Sequence, residues 1–370
     1  MLRRTFLKQT AAVAASVFLR SLLPGFPFAE NEIGFRFPTD PVGEWEGPFE
    51  LPLQGTTGYA SVALPLIASH DNEITLPIGL PFTILGEDGD LFRVRTPDGS
   101  TGYVESKYCL VNLPDLIPSI VYNNTNSKAS IFRSLGLELK GVTGVKMYDA
   151  WFRNGRLLQQ EYAMPVLYGM AKKIMQMQKM AQGYQSTLVL YESYRPWETQ
   201  AAVAQALRSL CESDEEVNRA INAAPYGEGW FISQGLSNHQ RGAAMDVSMA
   251  WVGSWKSRYV GPYRIRRPAQ YWEYTMPSPM HELSPRAAKH VKPVTWREKD
   301  AWKEATFTDT MTEGAIRLQE YAIASGLTPI SSEWWHFNDL DALADTEDRP
   351  CQGDFTLQGC RSEIPERQKL

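Results

Sequence analysis

Histidine and cysteine are scarce in this sequence. Five histidines (His70, His239, His281, His290, His336) and four cysteines (Cys109, Cys211, Cys351, Cys360) serve 370 residues. There is no Cys-x-x-Cys pair, no Gly-x-Ser-x-Gly and no glycine-rich phosphate loop. Dithiol chemistry, the serine nucleophile elbow and phosphate-loop nucleotide hydrolysis therefore have no support. Cys211 falls in a predicted helix with nothing to favour a thiolate, so a cysteine nucleophile is disfavoured too. Beyond the first 29 residues no run is apolar and long enough to span a bilayer, which takes about 18 or more residues. Positive charge is also short. Net charge is −5, and without the first 29 residues the balance is 33 basic against 42 acidic residues, about −9. Nonspecific nucleic-acid binding needs a basic surface and is excluded on that ground.

Apolar residues make up 43% and charged residues 21%, enough for a globular core, and the length suits two or three domains. The 11 Trp and 16 Tyr serve cores or line sugar and peptide grooves, and composition does not separate the two. Residues 1–29 carry Arg3, Arg4, Lys8 and Arg20 and no acid. Arg3-Arg4-Thr5-Phe6-Leu7-Lys8 closely matches a twin-arginine export signal, with a cut expected near Ala29. The competing reading, a membrane anchor, needs a longer run than the one Arg20 interrupts. No cysteine lies near the end of the segment to carry a lipid. The mature chain is thus expected in the periplasm or cell envelope without a stable membrane span. In that setting Cys351 and Cys360, nine apart, are expected to form a disulfide, with Cys109 and Cys211 either buried thiols or a second pair.

Residues 30–57 read as a Pro/Gly/Glu-rich linker. From 58 to 113 short strands alternate with turns, as in Phe82-Thr83-Ile84-Leu85, Leu91-Phe92-Arg93-Val94-Arg95 and the turn Pro97-Asp98-Gly99. A helix is expected over about 165–182, where Leu167, Met170, Ile174, Met177 and Ala181 share one face. The methionines there read as core filling, not as a soft-metal site. Thr187–Tyr191 reads as a strand leading to Glu192-Ser193-Tyr194-Arg195-Pro196, followed by a helix over about 198–222. The stretch 251–301 shows little regular pattern and is expected to form a wall or lid over a site. Thr310-Met311-Thr312-Glu313 fits a capping box for a helix ending near Gly326.

The chemistry sits in two stretches. In Ser237-Asn238-His239-Gln240-Arg241-Gly242-Ala243-Ala244-Met245-Asp246, His239 precedes a strand that carries Asp246, and Gly242 permits the turn between them. In Glu333-Trp334-Trp335-His336, the acid and the imidazole are three apart. On a flat strand they would face opposite sides, so a turn or bulge is expected there. Two imidazoles and one carboxylate suffice for a catalytic zinc with a fourth position left for water. An ion that lowers the pKa of water to about 7, beside Glu333 as base, suits hydrolysis of a peptide carbonyl. Arg195 at the end of the strand is the candidate partner for the oxyanion, or else a structural ion-pair partner. His70, His281 and His290 read as ordinary core or surface histidines.

Taken together, Ser237-x-His239-x-x-Gly242-x-Ala244-x-Asp246 and Glu333-x-Trp335-His336 resemble the M15-type zinc D,D-peptidases. Glu192-Ser193-Tyr194-Arg195-Pro196 and the Glu-Trp-Trp-His spelling resemble the VanX-like D-alanyl-D-alanine dipeptidase branch. The resemblance covers about residues 114–345. It implies an α+β fold with an antiparallel sheet flanked by helices. It also implies one zinc ion per chain held by His239, Asp246 and His336, with Glu333 as base, Arg195 as transition-state stabiliser and Ser237 as a substrate contact. Leu80–Gly86, Phe92-Arg93-Val94 and Asp98–Val104 resemble a bacterial SH3 (SH3b) domain, a small β-barrel that often binds cell-wall peptides. Expected domains are then 58–113 (SH3b-like) and 114–370 (peptidase). The expected partners are D-amino-acid peptides of the cell wall, with peptidoglycan as a ligand of the SH3-like part.

Asp246 and His336 are 90 apart, a longer stretch than a compact dipeptidase needs, and an SH3-like domain is extra for a free dipeptide. Both leave the substrate open between free dipeptide and stem peptide; a wall-binding module argues for the larger one, and an endopeptidase or D,D-carboxypeptidase of the same fold is the neighbouring alternative. A noncatalytic, zinc-stabilised wall-binding protein is the alternative from another class. The intact Glu333 and complete ligand set disfavour it.

Overall fold

The computed structural model describes residues 47–67 and 74–366. The expected export signal, most of the expected linker and His70 lie outside the described residues. Among those described, the chain is mixed α+β, with antiparallel sheets and helices. No described helix is long and apolar enough to cross a membrane.

The N-terminal strands are β1 (Thr56–Ala60), β2 (Leu64–Leu66), β3 (Ile74–Leu76), β4 (Pro81–Asp88), β5 (Leu91–Arg95), β6 (Thr101–Glu105) and β7 (Cys109–Asn112). The turns between β4, β5 and β6 fall where the Asp-Gly pairs predict them, with Gly89 and Gly99 both at positive φ. The expected closed barrel is not formed. The sheet runs β13-β7-β1-β4-β5-β6 and stays open, where β13 is Pro165–Leu167. β13 lies far along the chain yet pairs antiparallel with β7, from Pro165↔Asn112 to Leu167↔Leu110. Phe49 and Leu51, within the expected linker, are buried. Phe82, Phe92 and Val104 from this sheet share one apolar cluster with Met170, Leu188 and Phe337 from the rest of the chain.

The second sheet carries the chemistry. β8 (Val121–Tyr122), β14 (Ser186–Glu192), β15 (Ala244–Val260), β18 (His336–Asn338) and β17 (Thr328–Pro329) lie side by side in that order, with β16 (Tyr263–Glu273) paired to the far part of β15. Only β8 and β14 run parallel among these pairs. Two further ladders, β9 (Arg133–Ser134) with β10 (Leu137–Glu138) and β11 (Trp151–Asn154) with β12 (Gln159–Tyr162), stand apart. Residues 244–250 are buried on both faces, so β15 is a central strand. Helix Tyr168–Gly183 lays Met170, Ile174, Met177 and Ala181 against the core, on the face the periodicity indicates.

Three local expectations need correction. The helix expected over 198–222 is two helices, Trp197–Ser213 and Glu215–Asn222, because Asp214 leaves the helical conformation and caps the second through Glu216 and Val217 N–H. The helix Glu313–Ala324 is capped by Thr312, whose hydroxyl accepts from Ala315 N–H, two residues later than the expected Thr310. The stretch 251–301 is not structureless in its first half. β15 and β16 extend it as a long hairpin with bulges near Gly253 and Ala269. Two bulges and a mixed aromatic and basic surface hide the alternation that marks a half-buried strand.

The C-terminal segment crosses the N-terminal sheet. Glu363 N–H donates to Gly55 O (2.8 Å), Arg361 N–H to Thr57 Oγ1 (2.9 Å) and Tyr59 OH to Gly359 O (2.7 Å). All four cysteines are free, so the expected Cys351–Cys360 disulfide is absent. Cys351 is buried among Tyr59, Leu110 and Tyr194, while the Cys360 thiol is engaged by the Thr57 and Ser362 hydroxyls. The intervening chain is held by its own contacts, Tyr194 OH to Phe355 O (2.7 Å) among them.

Candidate metal centre

Asp246 lies near the start of β15, flanked by two chemically matched neighbours. Across the ladder on one side it pairs with His336 of β18, and on the other with Glu192 of β14, past a bulge after Leu190. His239 arrives from a turn closed by Gly242 N–H donating to His239 O (3.1 Å). Gly242 sits at φ +69°, and a Cβ there would run into the Leu110 side chain. Only glycine satisfies both conditions. The chain turns at Trp334–Trp335, which brings Glu333 round to the His336 side as the three-residue spacing requires. Both indoles are buried, and Val247 N–H donates to Trp335 O (3.0 Å), anchoring the turn to β15.

Three candidate ligand atoms converge. His239 Nε2 is 3.1 Å from His336 Nδ1 and 3.3 Å from Asp246 Oδ1, and His336 Nδ1 is 3.1 Å from Asp246 Oδ1. A tetrahedral ion with bonds of about 2.0–2.1 Å spaces its ligands about 3.3 Å apart. The outer hydrogen bonds decide where the protons are. His239 Nδ1 lies 2.7 Å from the Ser193 carbonyl, which only accepts, so Nδ1 carries the hydrogen and Nε2 is bare. His336 Nε2 lies 2.9 Å from Asn338 Oδ1, which also accepts from Asn238 Nδ2 (3.0 Å), so Nδ1 is the bare nitrogen in the neutral ring. Two imidazole lone pairs and a carboxylate oxygen thus face one point, an arrangement that repels itself unless a cation or proton occupies it. The donor set fits a zinc ion.

The charges follow the same logic. Burial works against the Asp246 charge, but the surrounding His239, His281 and His336 hold the carboxyl well below its ordinary range. Burial keeps His239 below its ordinary value and therefore neutral. Burial opposes a charge on His336 as well, yet hydrogen bonding to Asp246 carries it above its ordinary value, and that proton is the one a metal would displace. Glu333 Oε2 is 3.6 Å from His336 Nδ1, and burial pushes its carboxyl up to about 7, the range that suits a general base.

Arg195 follows β14 and is buried in the same cluster. Its guanidinium donates to Glu192 Oε2 through Nε (2.9 Å) and Nη2, to Gln200 Oε1 through Nη1 (2.7 Å) and to Asp246 Oδ2 through Nη2 (3.2 Å). These bonds engage four of the five N–H groups an arginine carries, the fifth being on Nη1. Ser237 lines the cavity, and its hydroxyl accepts from His239 N–H (3.1 Å), so its first duty is to the turn. The cavity measures about 290 Å³ and is walled by Phe132, Trp230, Phe231, Leu283, Trp296 and Trp335 around the polar centre. The wall role expected of 251–301 therefore falls to Leu283 and Trp296, not to the hairpin.

Compared against models of known protein families the chain matches none, and no curated protein matches it. The reading of this centre thus stands on its geometry.

Sequence reasoning passed over two groups that belong here. Glu192, quoted only as part of a motif, anchors Arg195 and accepts from Asn126 Nδ2 (2.6 Å) and Tyr148 OH (3.4 Å). Its position three residues before Arg195 was the available signal. His281, set aside as ordinary, touches Asp246. Nothing in Pro279-Met280-His281-Glu282-Leu283 marks it.

His290 remains a core histidine. It is buried, its Nδ1 is 3.0 Å from Ser331 Oγ, and burial pushes its imidazole down to about 4 from 6.5. The unfolded chain takes up a proton below pH 6.5 that the folded chain refuses until about pH 4. Its contribution is therefore complete above pH 6.5 and is lost as pH falls toward 4. The urea midpoint of the wild type should fall over that window, and His290→Asn should fall less. Equal slopes would remove His290 from the acid transition.

Proposed function

We propose that this chain is an exported zinc peptidase that hydrolyses D-alanine-containing cell-wall peptides, either D-alanyl-D-alanine or the end of a peptidoglycan stem peptide. The observation that carries the reading is the convergence of His239 Nε2, His336 Nδ1 and Asp246 Oδ1 within 3.1–3.3 Å, each ring set by an outer acceptor, with Glu333 alongside. The neutral rings and the carboxylate would hold the ion, which supplies a water with a pKa near 7. Glu333 takes a proton at Oε2 and returns it to the departing amine. The free Nη1–H of Arg195 faces charge that develops on the carbonyl oxygen. The apolar walls exclude bulk water and strengthen both interactions.

A cavity of about 290 Å³ is at the small end of ligand sites, which run from about 300 to 1,000 Å³. One or two small residues fit it, so the enclosed part of the substrate is the peptide's terminus. Export rests on residues 1–29. The SH3-like part carries the chain's own C-terminal segment along β1, so a wall peptide bound there would use another face.

The zinc-loaded chain should release D-alanine from D-alanyl-D-alanine or from pentapeptide muropeptides, read by mass spectrometry. One equivalent of zinc with no turnover of any D,D- or L,D-peptide would favour the noncatalytic alternative instead.

Arg195 carries a further prediction. Arg195→Ala strands Glu192 without its cation in the interior, and breaking a buried pair costs about 3–5 kcal/mol. Urea unfolding should show that loss, and Glu192→Gln added to Arg195→Ala should recover part of it. In the milder Arg195→Lys chain, kcat should fall more than KM rises, because the partner is transition-state charge. A change confined to KM would contradict that role.

A further inference from the structure

His281 lies far along the chain from Asp246, yet its surroundings are specific. The residue is fully buried. Its ring stacks on Phe132, with centroids 4.1 Å apart and 10° between planes. Its backbone is at φ +61°, a left-handed conformation that a histidine adopts only at a cost. Its Nδ1 is buried with no hydrogen-bond partner, a second cost. Both costs accompany one contact: Nε2 is 3.1 Å from Asp246 Oδ2. A carboxylate only accepts, so Nε2 carries the hydrogen and the bare Nδ1 is the orphan.

Glu192, Asp246 and His281 are close enough to hold an ion themselves. The Arg195 guanidinium already donates to Glu192 Oε2 and Asp246 Oδ2, so a second cation would meet a fixed positive charge. His281 is therefore not a ligand.

We infer that His281 is a positioning residue of the metal centre: with Arg195 it holds Asp246 Oδ2 so that Oδ1 alone faces His239 and His336. The two lone-pair regions of Oδ2 are taken by Arg195 Nη2 (3.2 Å) and His281 Nε2 (3.1 Å), from different parts of the chain. The carboxylate cannot rotate toward either imidazole without breaking one of them. The Phe132 stack fixes the imidazole plane, and the left-handed backbone aims Nε2 at Asp246 from a segment outside the sheet. The inference rests on the metal reading of the centre and adds a residue to it.

Two substitutions separate the contact from the backbone. Asparagine tolerates the left-handed conformation better than histidine does, but its amide reaches only the Nδ1 position. Glutamine fits that backbone less well, but its amide nitrogen reaches the Nε2 position. Zinc affinity of the full chain is measured by Zn²⁺ titration against a competing chelator, with thermal melts of the metal-free chains as the check on folding. His281→Asn should weaken zinc binding about 10- to 100-fold, the range for outer-shell partners, and His281→Gln should stay close to wild type. His281→Leu, which fills the space against Phe132 without a donor, repeats the test if the asparagine chain does not fold. Wild-type affinity in His281→Asn or His281→Leu would overturn the inference, as would glutamine weakening binding as much as asparagine. A wild-type chain that binds no zinc would overturn the metal reading as well, so the two failures are distinguishable.

Discussion

His239→Ala and His336→Ala should each purify without stoichiometric zinc. Each substitution removes one of the three atoms that meet within 3.1–3.3 Å, and Glu333, the nearest further carboxylate, is kept as the base in this reading. Glu192 and His281 face Asp246 Oδ2, on the other side of the carboxylate, and Arg195 lies between. Even outer-shell changes cost about 10- to 100-fold in affinity, and loss of a ligand exceeds that. Elemental analysis after dialysis is the measurement, with melts to show that the chains fold. One equivalent of zinc in either variant would refute the ligand set. His290→Asn is the control, because His290 touches Ser331 and Phe307 and none of the three ligands.

Glu333→Gln should keep its zinc and lose hydrolysis. The amide matches the carboxylate in shape but cannot accept a proton, so kcat should fall about 100- to 10,000-fold, the range for a positioned general base. The position suits that role: buried, 3.6 Å from His336 Nδ1, and outside the converging trio. A glutamine variant within about tenfold of wild type, well short of that range, would end the assignment. Loss of zinc alongside activity would instead make Glu333 part of the metal set.

The parts legible in advance were the ones that neighbouring residues determine. His239, Gly242 and Asp246 belong to one turn-to-strand unit, and its spacing is visible in ten consecutive residues. Glu333 and His336 are three apart, so geometry alone required the turn seen at Trp334–Trp335. The strands around Gly89 and Gly99 were marked by their turns. Illegible parts depended on distant partners. The outer part of the β15–β16 hairpin buries only Val260, Tyr263 and Ile265, which cluster with Leu51 and Leu157, while Trp251 and Trp272 stack in solvent at 5.3 Å and Arg267 pairs with Glu161 at 2.7 Å, so apolar alternation marks only a short part of it. Cys351 and Cys360 are near in sequence but held by different neighbours. Arg195 could be placed at the end of β14, but not its four internal hydrogen bonds, which make it a clamp on Glu192 and Asp246 before it is anything else.

Residue types and short spacings alone named two imidazoles, two carboxylates and an arginine as candidate working parts, because local chain geometry limits where such side chains can point. Which atoms meet was a matter of sheet register. Asp246 pairs with His336 on one side and Glu192 on the other, and a one-residue slip would send the carboxylate to the opposite face. The protonation pattern came from acceptors such as Ser193 O and Asn338 Oδ1. His281 reached the centre through an irregular segment that stacks on Phe132 and hydrogen-bonds to the Arg133 backbone. Register, burial and outer-shell hydrogen bonds are cooperative properties of segments far apart in the chain, and no local pattern encodes them.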